Sequence, residues 1–378
     1  MAGEKEILDA GANSVVYKDV IDGRDVVVKT SRNHDEAWLF CAHKENKMLA
    51  MLKDQKQNLA ADIPEMRLEQ ENGETRIIQT AVKGDFLTRE TYLSCSAEQQ
   101  DKIARDLAEA MFAIHNLDIA EVAKVTNDGY IPGEKPGVKN SERYFRGNYQ
   151  SLIDSLGKHI SPETKSALEN FIENQFDALE KVNSHVAPIH NDIRYSNIFY
   201  DKETSKVGII DFGSCEVYDI YHDFASIGLP NSLGFELQEK VIDSYNKLLR
   251  ENDRDFQLSA ETAKAYSVAR MIYYADMMDR SEKVRKTLFP ESSGNEIVGL
   301  EAYLREANVL SGEKEYLSKV RGKLAVLREN REQAENPAAK EAVSAERPET
   351  ERAAQAPQGM EKALFLRAVS ERRAAKKP

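Results

Sequence analysis

Cysteine is scarce. Cys41, Cys95 and Cys215 are the only three in 378 residues, widely spaced and odd in number. They exclude a disulfide framework and a thiolate zinc site, and they suit reduced thiols in a cytoplasmic setting. Cys215 reads as a packing residue. No apolar run approaches the roughly 20 residues that a membrane helix needs. The opening "MAGEKEILDAG" is charged and lacks the apolar core of a secretory signal. Basic excess is missing too: 52 Lys and Arg face 64 Asp and Glu, a formal net charge of −12. Nucleic acid as main partner needs a basic track, so that class is set aside. The acidic balance leans mildly towards a cationic small molecule.

What is present divides into three stretches. Residues 1–83 read as strands with one helix. "NSVVYKDV" and "RDVVVKT" flank "IDGR", whose Asp22-Gly23 is a strong hairpin signal. A second hairpin runs through "IPEMRLEQ", "ENGE" and "TRIIQTAV". Between them, 35–53 has helical periodicity with Asp35 placed to cap it. Residues 84–330 are mostly helical, with helices expected at 96–116, 142–157, 162–183, 233–250, 259–280 and 296–330. The first opens on a capping box, Ser96 with Gln99. Short strands near 186–211 interrupt the helices. From 331 to 378 the chain is rich in Ala, Glu, Pro and Gln and carries a net +2, leaving −14 on the rest. Such a stretch cannot bury enough apolar surface to order itself. Its last 18 residues hold six basic and two acidic side chains around "ALFLRAV". That pattern fits a solvated tail, a partner-induced helix, or a targeting or secretion signal.

Chemistry concentrates in "VAPIHNDIRYSNIFYD" and "VGIIDFG". His190, Asp192 and Asn197 sit between apolar strands, and Asp211 ends the next one 14 residues beyond Asn197. Phosphoryl transfer asks for an acid to accept a hydroxyl proton and oxygen ligands to hold Mg²⁺ on phosphates. Asp192 suits the first role; Asn197 and Asp211 suit the second.

His-x-Asp-x-x-x-x-Asn followed by Asp-Phe-Gly resembles the protein-kinase-like superfamily, and within it the aminoglycoside phosphotransferase and choline kinase group. Asp223, 12 residues past Asp211, and Asp219, four before it, continue that pattern over residues 8–280. The resemblance implies an α+β, bilobal fold: an antiparallel-sheet N-lobe (1–83) that binds nucleotide and a helical C-lobe (84–330). It implies ATP and Mg²⁺, with Lys29 at the end of "VVVKT" on the phosphates. Periodicity selects the acid partner of Lys29. Glu45 is seven residues from both Trp38 and Leu52 on the apolar stripe, whereas Glu36 falls on the opposite face. An acid facing inward needs a cation, so Glu45 is the choice. The phosphate loop, "LDAGANSVVYK", holds only Gly11 where protein kinases have several glycines, with Ser14 as substitute. Backbone groups around Thr80 to Val82 would hold adenine. The resemblance makes His190 a structural brace against the Asp-Phe-Gly segment, and gives Asp219 and Asp223 hydrogen bonds to the catalytic-loop backbone. His115 reads as a packed or capping histidine. For Arg194, a phosphate contact and a pairing with an acid both stand.

The acceptor is less legible. Tyr266, Arg270, Tyr273, Tyr274 and Met277, with Asp276 and Asp279, could cage an amine or simply be core. Arg143, Tyr144 and Arg146 suit an anion equally. The expectation is an ATP-dependent kinase acting on a small-molecule hydroxyl: an amino alcohol such as choline, a sugar or an aminoglycoside. A protein kinase of the same fold and a nucleotide-binding pseudoenzyme or secreted effector acting through the tail are the alternatives.

Overall fold

A computed structural model describes residues 6–9, 14–31, 36–54, 59–71, 74–126, 153–154, 156–157, 160–180, 185–229, 232–278 and 303–310. The N-terminal part is a five-stranded antiparallel sheet of β1 (Glu6–Asp9), β2 (Ser14–Ile21), β3 (Arg24–Ser31), β4 (Met66–Glu71) and β5 (Glu74–Thr80), in the order β1-β2-β3-β5-β4. Asp22 and Gly23 join β2 to β3, both at positive φ, as a two-residue hairpin turn requires. Alternation along β3 sorts its residues. Val26 and Val28 bury against Tyr17 and Ile78 on one face, and Lys29 points to the other, towards helix α1 (Glu36–Asp54). Asp35, the expected cap of α1, lies outside the described residues.

Helices dominate the remainder: α2 (Arg89–Ser94), α3 (Ala97–His115), α4 (Ile119–Thr126), α5 (Pro162–Glu180), α6 (Tyr221–Ile227), α7 (Phe235–Glu251) and α8 (Ala260–Met278). The Ser96–Gln99 capping box is present at the start of α3. Ile103, Leu107, Met111 and Ile114 are fully buried on its inner face, each contributing about 1.5–3 kcal/mol through burial. Two small sheets carry the sequence motifs. One pairs β7 (Val186–Ile189) with β10 (Glu216–Asp219); the other orders β6 (Asp85–Phe86), β8 (Ile198–Asp201) and β9 (Lys206–Ile209) as β6-β8-β9. Strands β6 and β10 and helices α2, α4 and α6 are too short for periodicity to reveal. The helices expected at 142–157 and 296–330, and the tail, lie mostly or wholly outside the described residues.

Two crossings tie the sheet lobe to the β8–β9 hairpin. Asp62 inserts beside β9, its amide donating to the Val207 carbonyl (2.8 Å) and its carbonyl accepting from the Ile209 amide (2.9 Å). The connection after β5 presses on the same hairpin. Gly84 has φ +99°, and a Cβ there would meet the Tyr200 carbonyl oxygen at 2.4 Å; a Cβ on Gly208 would meet Val82 Cγ1 at 2.2 Å. Glycine at both positions is what lets that connection lie flat on the hairpin.

Candidate active site

Strand β7 delivers the chain into His190, Asn191 and Asp192, and a short 3₁₀ turn at Tyr195–Asn197 leads into β8. Two residues here are left-handed, Asn191 at φ 69° and Asp211 at φ 68°. Asn and Asp tolerate that region better than bulkier residues, yet it persists only where surroundings enforce it. The enforcement is visible. Fully buried Asp223, in the first turn of α6, accepts from the His190 amide (2.8 Å) and the Asn191 amide (2.7 Å). Asn191 Nδ2 donates to the Ser214 carbonyl at 3.2 Å. The His190 ring accepts from the Asp192 amide at Nδ1 (3.3 Å) and lies 3.1 Å from the Ile210 carbonyl at Nε2. That geometry places its hydrogen on Nε2. His190 therefore joins the His190–Asn197 loop to the segment that carries Asp211.

His115, at the end of α3, does more than pack. Its Nε2 lies 3.2 Å from Asp223 Oδ2 and its Nδ1 lies 2.8 Å from the Tyr245 hydroxyl of α7. Burial alone would raise the Asp223 carboxyl, but the hydrogen bonds from His115 and from the His190 amide outweigh it and hold the group below the usual carboxylate range. Burial pushes the Tyr245 hydroxyl up, so it stays protonated and can donate to His115. Asp219 accepts from amides outside that loop, those of His185, ahead of β7, and Tyr221, at the start of α6.

Asp192 is held on both sides. Asn197 Nδ2 donates to its Oδ2 (2.8 Å) and to its backbone carbonyl (2.9 Å), while Arg194 Nε lies 3.1 Å from its Oδ1. With Nδ2 so engaged, Oδ1 is the side-chain atom Asn197 has left to offer. The antiparallel register Ile198↔Ile209, with the Ile210 amide on the Asn197 carbonyl (3.0 Å), sets Asn197 beside the approach to Asp211. The Asp211 carboxylate makes no hydrogen bond or ion pair among the described residues. An amide oxygen and a free carboxylate at the end of one hairpin suit a hard divalent cation that draws its other ligands from phosphates and water. Among the described residues no cluster of three or more His, Cys, Asp or Glu side chains forms a self-sufficient metal cage.

From the sheet, Lys29 Nζ lies 3.4 Å from Glu45 Oε1, and the carboxylate is almost wholly buried. Gln79 Nε2 donates to the same oxygen at 2.8 Å. Glu36 is exposed, as the periodicity requires. Helix α1 also rests on the Asp-Phe-Gly turn: a Cβ on Gly213 would stand 3.7 Å from Cys41. Thr80 has its amide committed to the Glu65 carbonyl, while its hydroxyl oxygen accepts from the Glu65 amide, so of its backbone groups only the carbonyl is left to meet a base. The Val82 amide makes no hydrogen bond among the described residues. Ser14 is the first residue of β2, opposite Ser31; Gly11 lies outside the described residues.

The amine cage loses two members. Tyr266 and Arg270 are core residues, the Tyr266 hydroxyl 3.2 Å from His222 Nδ1 and Arg270 donating to the His222 carbonyl and Ser226 Oγ. The side chains of Tyr273, Tyr274, Asp276 and Met277, and residues Arg143, Tyr144, Arg146 and Asp279, lie outside the described residues. Cys215 is fully buried, and burial drives its thiol well up, as a packing role requires. Sequence reasoning missed Gln79, whose signal was a lone amide in the apolar run "RIIQT", and Asn191, whose backbone strain sequence does not display.

The sequence matches the profile of the phosphotransferase enzyme family over residues 6–257. The fold is similar to the GDP complex of wild-type aminoglycoside 2'-phosphotransferase-IIIa, at 15% identity and a TM-score of 0.55, covering 81% of this chain and 92% of that one. It is likewise similar to the GDP and kanamycin complex of APH(2")-IIIa, at 14% identity and a TM-score of 0.52, covering 81% and 93%. Among the described residues no helix is long and apolar enough to cross a membrane.

Proposed function

Because the chain belongs to the phosphotransferase enzyme family, we propose that it moves the γ-phosphate of Mg·ATP to a hydroxyl of a small molecule. Lys29, held by Glu45, which Gln79 in turn fixes, meets the phosphates from the sheet side. Asn197 and Asp211 would hold Mg²⁺, which would neutralise charge on the phosphate oxygens. The Thr80 carbonyl and the Val82 amide face the base. Asp192 orients the acceptor hydroxyl and takes its proton as the new O–P bond forms and the bond to ADP breaks.

One observation supports this reading best. Asn197 fixes Asp192 through two hydrogen bonds while keeping its own oxygen free, and it opens the hairpin that Asp211 follows, so base and metal ligands share one scaffold. The short path from Asp211 to Asp223 favours a small acceptor over a protein. It is filled by a 3₁₀ turn (Phe212–Ser214), β10 and the start of α6, which leaves no room for a long substrate-binding segment. A pseudoenzyme has no physical reason to keep Lys29, Asp192, Asn197 and Asp211 in register. The acidic balance suits cationic acceptors, and the solved relatives make aminoglycosides a leading class. The test is ADP or GDP release with ATP or GTP across choline, ethanolamine, simple sugars, kanamycin and a generic protein acceptor. Turnover that depends on one small-molecule class is expected; turnover only with the protein acceptor would overturn the assignment.

A further inference from the structure

The pairing of Arg194 with Asp192 has no part in the scheme above. Arg194 lies two residues past Asp192, with extended backbone (φ −144°, ψ 166°). Its side chain is about half exposed, and Asp192 Oδ1 is the sole ionic partner of its guanidinium among the described residues. The two oxygens of the base are thus held differently. Oδ2 is locked by Asn197, which the loop itself fixes through the Asp192 carbonyl and the Ile210 amide. Oδ1 is held, among the described residues, only by a solvent-facing side chain that no other hydrogen bond or ion pair there anchors.

We propose that Arg194 guards the base: it occupies the carboxylate oxygen that must receive the acceptor's proton, and a bound acceptor displaces it. This rests on the phosphotransferase reading and deepens it. A kinase with an open cleft is exposed to water, a competing hydroxyl always present at high concentration. Water has no further groups with which to bind, whereas a true acceptor can spend remote binding energy on dislodging the guanidinium. Guarding therefore costs hydrolysis more than transfer. If the guard fails, water attacks phosphorus, the bond to ADP breaks, inorganic phosphate forms and Asp192 takes the water's proton. Arg194 is a positioning residue in this account, acting through Asp192.

The experiment needs no identified acceptor, because the probe is Mg·ATP in water. Phosphate release is measured for the full-length wild type, Arg194→Met, Arg194→Lys and the double variant Arg194→Met/Asp192→Asn, with melting temperature as a control for folding. Arg194→Met is expected to raise acceptor-free hydrolysis about two- to tenfold, the range expected for losing a half-exposed charge-assisted contact, with little change in KM for ATP. Arg194→Lys, which keeps a cation beside Asp192, should stay near the wild-type rate. The double variant should lose the gain, because it passes through Asp192. Hydrolysis that is unchanged or lower in Arg194→Met, or a gain that survives Asp192→Asn, would overturn the guard. Failure of the underlying reading looks different: wild type whose melting temperature Mg·ATP does not raise.

Discussion

Replacing Asp223 with asparagine should damage both stability and catalysis without touching substrate. Its carboxylate is fully buried and accepts three hydrogen bonds: from Asn191 N (2.7 Å), His190 N (2.8 Å) and His115 Nε2 (3.2 Å). An asparagine carries one acceptor oxygen. Its best rotamer keeps that oxygen on His190 and His115 and turns its NH₂ towards the Asn191 amide, donor against donor. One charge-assisted bond is then lost, a buried N–H goes unpaired, and the remaining two bonds weaken with the charge. Together these cost about 2–4 kcal/mol, or roughly 3–6 °C in melting temperature for a chain of this size. Asn191 is the left-handed residue next to Asp192, so its release shifts the base. A displacement near 1 Å can cost about 100-fold in rate. Thermal melting by circular dichroism and ADP release with the best acceptor are the assays. His115→Ala should cost less in the Asp223→Asn background than alone, since the two share one interaction. A variant that melts within a degree of wild type at unchanged turnover would refute this account of the loop.

Three further outcomes follow from the same geometry. The folded-state pKa of Asp223 is depressed, so its contribution to stability is present above the unfolded value near about 3.9 and is lost as pH falls through the folded value below it; urea titrations from pH 6 downward should show a smaller loss in Asp223→Asn. Glu45→Gln leaves Lys29 without its counter-charge, and is expected to cost about 1–3 kcal/mol and to raise KM for ATP more than it lowers kcat. Gly208→Ala forces a methyl into Val82 and should cost about 1–3 kcal/mol by overpacking, with nucleotide affinity falling as Val82 moves; adding Val82→Ala should restore much of both, and no recovery would contradict the packing described.

Much of this site was legible because strand and helix periods are strict. The family resemblance singled out Lys29 at the end of "VVVKT", and the seven-residue spacing from Trp38 and Leu52 turned Glu45 inward; the two side chains meet at 3.4 Å. The Asp22-Gly23 turn and the Ser96–Gln99 box are local chemistry and need no tertiary information. Other features depend on contacts across long separations. His115 and Asp223 meet over 108 residues, so a histidine ending an apolar helix gave no hint of its partner. Tyr266 and Arg270 have the spacing of a cage, yet α6 covers them and they pack as core. Which backbone groups of Thr80 to Val82 stay open is another such feature: Glu65, on the approach to β4, claims the Thr80 N–H.

The central claim is that Asp211 and Asn197 hold Mg²⁺ on a nucleotide that Lys29 meets from the other side. Calorimetric binding of ATP, with and without Mg²⁺, to wild type and Asp211→Ala tests it most directly. Strong metal dependence in the wild type, abolished by Asp211→Ala, is the predicted result. Equal binding by both chains, or binding indifferent to Mg²⁺ in the wild type, would contradict it.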